Sequence, residues 1–220
     1  MHPLIEKAAA ILSENNFEYA FCGGFAIDLF LGYESRRHSD IDVLAYWNDR
    51  NAIILHMQSL GFRVYEMLGE GKAHHITDIL DQRCVKRNIF CLRDGCEMAR
   101  LSPTEEGDGI VSVHFSPVGL RRLNFLEILF NDKADGCFLY ARDHRIRREM
   151  DKVILYYRSG DRAIPYLAPE FCLLYKSTDT EREGYQQDFD RASAKMDGEQ
   201  KEWLQNALER LYPEGHKWRK

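Results

Sequence analysis

The chain has 220 residues, 45% of them hydrophobic and 30% charged, with a formal net charge of −5. That length holds one large domain or a domain with a smaller appendage, and the composition is that of an ordinary globular protein. The acidic balance disfavours sequence-independent nucleic-acid binding, which relies on Lys and Arg to neutralise phosphates, and directs attention to a small ligand. No apolar run approaches the roughly 18–20 residues of a membrane span. The opening MHPLIEKAAAILSENN carries early charges and no long apolar core, so an export leader is not expected. Six cysteines are scattered without a C-x-x-C pair, which predicts reduced thiols in a cytoplasmic protein.

In chain order, Leu4, Ile5, Ala8, Ala9, Ile11 and Leu12 recur at helical spacing, predicting a helix over 3–15. FEYAF (17–21) reads as a short buried strand stopped by Gly23 and Gly24. FAIDLFLG gives one or two helical turns with Gly32 as C-cap. IDVLAYW reads as a second strand, and Asn48 or Asp49 can cap the helix that follows, up to Gly61. FRVYEML is a third strand. KRNIFCLR and GIVSVHF look like strands separated by the turn-rich SPTEEGDG. LNFLEILF (123–130) is a strand of buried type, followed by the turn NDKADG. From about residue 141 charged, helix-favouring segments dominate: RDHRIRREMDKVILYYR, PEFCLLYKS, the 183–196 stretch and EQKEWLQNALERLY. IPYLAP joins the first two, with Pro169 suited to a helix's first turn. The expected architecture is α+β: a mixed sheet with flanking helices over 1–145 and a helical part over 146–220 packing on it.

The chemistry concentrates in FCGGFAIDLFLGYESRRHSDIDVLAY (21–46). Residues two apart on a strand share a face, so Asp40 and Asp42 project together. Like charges that close destabilise one another unless a cation bridges them. Hard oxygens on a rigid strand suit Mg²⁺, and a two-ion site can orient an attacking oxygen and stabilise a leaving one. Glu127, the only charged residue in LNFLEILF, is the candidate third carboxylate. The bland alternative is that D-x-D opens a solvated strand and that Glu127 faces solvent or pairs with Arg121 or Arg122. Gly23-Gly24 before a helix can bring backbone N–H groups to an anion, although the pair matches neither the dinucleotide nor the P-loop fingerprint and can simply turn the chain.

Strand, Gly-Gly, short helix and D-x-D strand together resemble the polymerase-β-like nucleotidyltransferase superfamily. The run Gly23, Gly24, Phe25, Ala26, Ile27, Asp28, then Leu31-Gly32, then Arg36, His38, Asp40, Ile41 and Asp42 is similar to the aminoglycoside 2''-adenylyltransferases and the lincosamide nucleotidyltransferases. A weaker likeness covers IPYLAPEFCLLYK and GYQQDF: Asp188 and Phe189 match a Lys-Asp-x-x-Asp-Phe segment of the group, while Gly184 and Tyr185 depart from it. Glu127 stands where many relatives carry Asp. Residues 67–122 match nothing in the family.

The resemblance implies that Asp40, Asp42 and Glu127 hold Mg²⁺, two ions, on the triphosphate of ATP or another NTP. It implies that Gly23 and Gly24 pack their N–H groups on phosphates, and that Glu127 shares a metal or takes the acceptor's proton. Arg36 could touch phosphate or form a surface ion pair. His38 is a nucleotide-binding candidate that could touch phosphate or hydrogen-bond the loop, and Asp28 is expected to bond the loop carrying Arg36 and His38. Lys176 could reach the triphosphate or merely suit the end of its helix. The implied reaction is transfer of a nucleotidyl group to a hydroxyl of a small, antibiotic-like molecule. The rivals are a protein or tRNA acceptor and a non-catalytic nucleotide-binding module. Elsewhere, adjacent His74 and His75 face opposite ways on a strand, which argues against a shared metal. Arg145, Arg147 and Arg148 read as a solvated face, and Trp203, Tyr212 and Trp218 as helix packing.

Overall fold

The computed structural model describes residues 2–116 and 121–219. Helix α1 (Pro3–Leu12) forms where the apolar spacing buries Leu4, Ile5, Ala8, Ala9 and Leu12; Pro3 opens it, and the His2 ring accepts from the Leu4 amide at 3.2 Å. Strand β1 (Tyr19–Phe21) and helix α2 (Gly23–Leu31) follow, and Gly32 closes α2 as a left-handed C-cap. Strand β2 (Asp42–Tyr46) passes through a 3-10 turn (Trp47–Asp49) into α3 (Arg50–Ser59), whose N-cap Asp49 makes no side-chain capping bond. Then come β3 (Arg63–Gly69), β4 (Lys72–His75), β5 (Asn88–Leu92), β6 (Ala99–Pro103) and β7 (Ile110–Phe115). Of these, β4 and β6 carry too little apolar alternation to be read from sequence. Strand β8 (Phe125–Ala134) absorbs the Asn-Asp-Lys-Ala expected to turn, and the turn itself is Asp135-Gly136, before β9 (Cys137–Leu139).

The largest departure from expectation lies in RDHRIRREMDKVILYYR. Its regular structure is two strands about a single helical turn: β10 (Arg147–Glu149), α4 (Met150–Val153) and β11 (Ile154–Ser159). IPYLAP is no joint between helices: IPYL completes β12 (Arg162–Leu167), and Ala168 and Pro169 begin the next helix. The register pairs Ser159 with Arg162 around Gly160-Asp161, a two-residue hairpin loop. Pairing along this hairpin overrides the helix propensity of its charged residues. The helical C-terminal part is α5 (Pro169–Lys176), α6 (Tyr185–Lys195) and α7 (Gly198–Leu211), the last begun by an Asp197–Gln200 capping box. The class is therefore α+β with a mixed sheet, as expected. Among the described residues no helix is long and apolar enough to cross a membrane.

The chain divides into two compact units. The first joins His2–Tyr19 to His38–Asp132. Its strands run in the order β2-β8-β5-β3-β4-β7-β6, with β2 and β8 parallel and the other pairs antiparallel. One core cluster gathers Tyr65, Phe90, Leu92, Met98, Val113 and Phe125, with Phe90 against Phe125 at 5.6 Å. Each such side chain is worth about 1.5–3 kcal/mol when fully buried. A buried polar node crosses this apolar interior. Glu66, with no exposed surface, accepts from Arg50 Nη2 (3.0 Å) and the backbone amides of Arg83 (2.5 Å) and Cys84 (2.8 Å), and stands 3.0 Å from His74 Nδ1. His75 instead stacks on Tyr65 at 4.6 Å, so the two histidines do face opposite ways.

The second unit joins Ala20–Arg37 to the chain from Lys133 onward. Here β11-β12-β1 form its sheet portion, with Phe21 parallel to Tyr166, and α2 packs against α5 and α6. Phe171 meets Phe138 at 5.1 Å and Trp203 at 4.2 Å, and Phe189 stacks on Trp218 at 4.5 Å, so both tryptophans serve packing as expected. Arg148 does not belong to a solvated face. Only 6% exposed, it donates to fully buried Glu170 and to Glu199 at 2.9 Å, while Gln200 donates to the other Glu170 oxygen at 3.0 Å.

Burial pushes the Glu170 carboxyl up to about 7 from an ordinary 4.5, against the opposing pull of Arg148 and Gln200. A carboxyl whose pKa rises on folding holds its proton more tightly folded than unfolded, so its contribution to stability declines as pH climbs from about 4.5 to about 7. Removing the titration with Glu170→Gln should make the variant's Tm, measured against wild type, rise steadily across that window and level off above it. A difference in Tm that stays constant from pH 4.5 to 7 would contradict the assignment.

Candidate active site

Parallel pairing of β2 with β8 sets Asp42 directly opposite Glu127. Neighbouring strands lie about 4.8 Å apart and paired residues share a face, so the two carboxylates are side by side. The ladder continues upstream, with the Glu127 amide donating to the Ile41 carbonyl at 3.0 Å. Asp40 precedes the formal start of β2, yet burial still alternates: Ile41 and Val43 have no exposed surface, and Asp40 and Asp42 are half-buried. The acids thus share the wetter side of a segment whose other side is core. His38, two residues earlier, is buried at 7% exposure.

Glu127 is half-buried rather than solvated, and one of its partners is an amide on the neighbouring strand. Asn88 Nδ2 donates to Glu127 Oε1 at 2.7 Å. Asn88 opens β5, the antiparallel neighbour of β8 on the side away from β2. An amide there fixes one carboxylate oxygen without neutralising the charge. Sequence reading missed Asn88; the available signal was an amide beginning the otherwise apolar NIFCL.

Asp40, Asp42 and Glu127 are hard oxygen donors of the kind Mg²⁺ takes. Among the described residues no trio of His, Cys, Asp or Glu side chains is closed into a ready metal cage. Mg²⁺ is commonly held by one or two carboxylates and completed by waters and phosphates, so an open donor set is compatible with it.

The other predicted binding residues lie in the second unit. Gly23 begins α2 at φ +64°, a conformation that suits a residue without Cβ, and buried Gly24 follows it. The N-cap residue Cys22 makes no side-chain capping bond to α2, and no acidic residue occupies the helix's first turn. Asp28, 8% exposed, accepts from the Ser35 amide (2.9 Å) and hydroxyl (2.5 Å), tying the loop after α2 back to the helix, as expected of it.

Arg36 and Lys176 both reach Asp188. Arg36 makes a two-point contact, Nε at 2.8 Å and Nη2 at 2.9 Å, and Lys176 Nζ stands at 3.1 Å and lies 4.1 Å over the Tyr185 ring. Burial pushes the Asp188 carboxyl up, but the two cations outweigh it and hold it below the ordinary carboxylate value. Arg36 therefore forms an ion pair, with a buried partner rather than at the surface. The two departures from the family segment acquire physical meaning here. Gly184 leaves room for Arg36, whose Nε would be 2.9 Å from an added Cβ, and Tyr185 supplies the ring beneath Lys176.

The fold is that of nucleotidyltransferases. Three solved structures match over nearly the whole chain, each with a TM-score of 0.56. The antibiotic-resistance factor ANT(2'')-Ia in solution is 16% identical, with 96% of this chain and 92% of that one covered. The lincosamide antibiotic adenylyltransferase LnuA with lincomycin bound is 14% identical, covering 89% and 98%. ANT(2'')-Ia in complex with adenylyl-2''-tobramycin is 18% identical, covering 95% and 97%. In sequence, residues 4–70 match the family model described as Aminoglycoside-2''-adenylyltransferase. Two proteins named 2''-aminoglycoside nucleotidyltransferase, from Escherichia coli and Klebsiella pneumoniae, are 38% identical over 77 residues. That stretch is 35% of this chain and spans only 44% of those relatives. The family resemblance read from 21–43 thus has independent support in both sequence and fold.

Side-by-side like charges on paired strands cost stability where no cation bridges them. In metal-free buffer with a chelator, Asp42→Asn should therefore stabilise the protein by about 0.5 kcal/mol in urea unfolding. A variant less stable than wild type under those conditions would show that the two carboxylates do not repel.

Proposed function

We propose that this chain is a Mg²⁺-dependent nucleotidyltransferase that transfers NMP, first of all AMP from ATP, to a hydroxyl of a small aminoglycoside- or lincosamide-like molecule. The observation that carries the reading is the pairing of Asp42 with Glu127 across parallel β2 and β8, two residues after Asp40, in the segment that matches the family model. In this reading the acceptor oxygen bonds to the α-phosphorus of the nucleotide and the bond from that phosphorus to the pyrophosphate oxygen breaks. The products are a nucleotidylated acceptor, pyrophosphate and the proton of the hydroxyl.

Asp40, Asp42 and Glu127 would hold two Mg²⁺ ions. Bound there, the metal would neutralise phosphate charge and favour the in-line displacement. Glu127, oriented by Asn88, would share a metal or receive the acceptor's proton. Gly23 and Gly24 would offer N–H groups at the positive end of α2 to phosphate oxygens. Arg36 and Lys176 would add positive charge for the same phosphates, and His38 would pin the loop before the aspartates. The protein's contribution on this account is positioning and charge placement rather than covalent chemistry. Six cysteines without disulfides accord with a cytoplasmic enzyme.

Two measurements test this. A ligand at 100 times its Kd adds about 2.7 kcal/mol of stability by mass action. ATP should therefore raise Tm only when Mg²⁺ is present, and the double substitution Asp40→Asn/Asp42→Asn should abolish the rise; a variant that keeps the full shift refutes the metal assignment. Incubation with α-labelled ATP, Mg²⁺ and a panel of aminoglycosides and lincosamides should place label on the small molecule. Label appearing on protein or tRNA would redirect the acceptor assignment, and nucleotide binding with no transfer at all would make the chain a binding module.

A further inference from the structure

Helix α6 grips the segment that follows α2 along its whole length. At its start Asp188, without exposed surface, chelates Arg36 and takes Lys176. Further on, Arg191 donates to the Ser35 carbonyl. At its end Lys195 donates to the carbonyls of Phe30 (2.6 Å) and Leu31 (3.0 Å), the final carbonyls of α2, where a cation meets the helix's negative pole. Just ahead of α6, Gly184 sits at φ +83° with Arg36 where its Cβ would be. Every one of these contacts lies within one compact unit. A buried ion cluster of this kind adds little stability over a well-packed apolar replacement, so the orientation it imposes is the better account of why Asp188 holds two cations.

We propose that Asp188 is a positioning residue for nucleotide polyphosphate. Through Arg36 it fixes the backbone that runs on to Asp40, and through Lys176 it fixes an ammonium group, without touching substrate itself. This inference rests on the nucleotidyl-transfer reading above and adds to it the residue that orders the cations.

Calorimetric titration of Mg·ATP and of AMP tests it. Asp188→Asn should weaken Mg·ATP about tenfold and AMP by less than about twofold, because the cations act on the outer phosphates. In an Arg36→Ala/Lys176→Ala background the same substitution should change Mg·ATP affinity by less than about twofold, since nothing is left to orient. Equal weakening of both ligands, or a loss that persists in that background, would make Asp188 merely structural and overturn the proposal. Should Asp188→Asn fail to fold, Gly184→Ala keeps every charge and displaces Arg36. It should weaken Mg·ATP several-fold, spare AMP, and lose its effect on binding once Arg36→Ala is added; unchanged Mg·ATP binding overturns the proposal. Wild-type protein that does not bind Mg·ATP sinks the underlying reading together with this one. Wild type that binds while the Asp188 and Gly184 variants bind equally well sinks this one alone.

Discussion

The parallel register of β2 and β8 is the constraint on which the rest depends, because it forces two carboxylates into adjacent positions that neither would choose alone. A one-residue slip of β2 would turn Asp42 into the core and expose Ile41 and Val43, both fully buried. The apolar side of the strands therefore holds the acidic side in place. Burial of those side chains, at about 1.5–3 kcal/mol each, exceeds a repulsion of order 0.2–1 kcal/mol between opposed like charges. The adjacency of the two acids is thus set by a sheet whose register the apolar side decides.

Three fully buried carboxylates, Glu66, Glu170 and Asp188, solve a different problem. Each is met by cations or by several N–H donors, as desolvated charge requires. Glu66 joins α3, β4 and the loop at 83–84 through Arg50, His74 and two amides. Glu170 joins β10 to α5 and α7 through Arg148 and Gln200. Both tie together elements that are far apart in sequence, a role that needs no ligand. Asp188 differs in what it holds: a loop that continues into the D-x-D segment, and the one lysine at the end of a helix that is otherwise almost wholly buried.

How far the sequence was legible follows from how local each signal is. The helix at 3–12, the Gly32 cap and strands β2, β3, β5, β7 and β8 announce themselves within a few residues through apolar spacing and turn chemistry. So do Asp42 and Glu127, since an acid inside an apolar strand is locally anomalous. The hairpin β11–β12 was lost because its charges and tyrosines resemble a helix face. The decisive Gly160-Asp161 loop was a legible hairpin signal that the charge density masked. Short strands such as β4 and β10 exist by virtue of partners elsewhere in the chain, which no local pattern carries. The same holds for Asn88 and for the ties of Arg36 and Lys176 to Asp188, across separations of 152 residues in the first case.

The reach of the sequence likeness against that of the fold likeness has a physical explanation. The family model matches residues 4–70 and the curated relatives match over 77 residues, whereas the fold matches over most of the chain at 14–18% identity. A sheet position asks only for an apolar side chain of about the right volume, and many sequences satisfy it. The segment from Gly23 to Asp42 must offer a tight start to α2, a loop tied back by Asp28, and acids at fixed spacing. Few residue types meet those demands. A fold can be kept while the site upon it is changed, so chemistry is argued from the segment and not from the overall architecture. On that ground the nucleotide half of the proposed reaction rests first on the segment that matches the family model, which holds Asp40 and Asp42, and on Glu127 paired to it from outside.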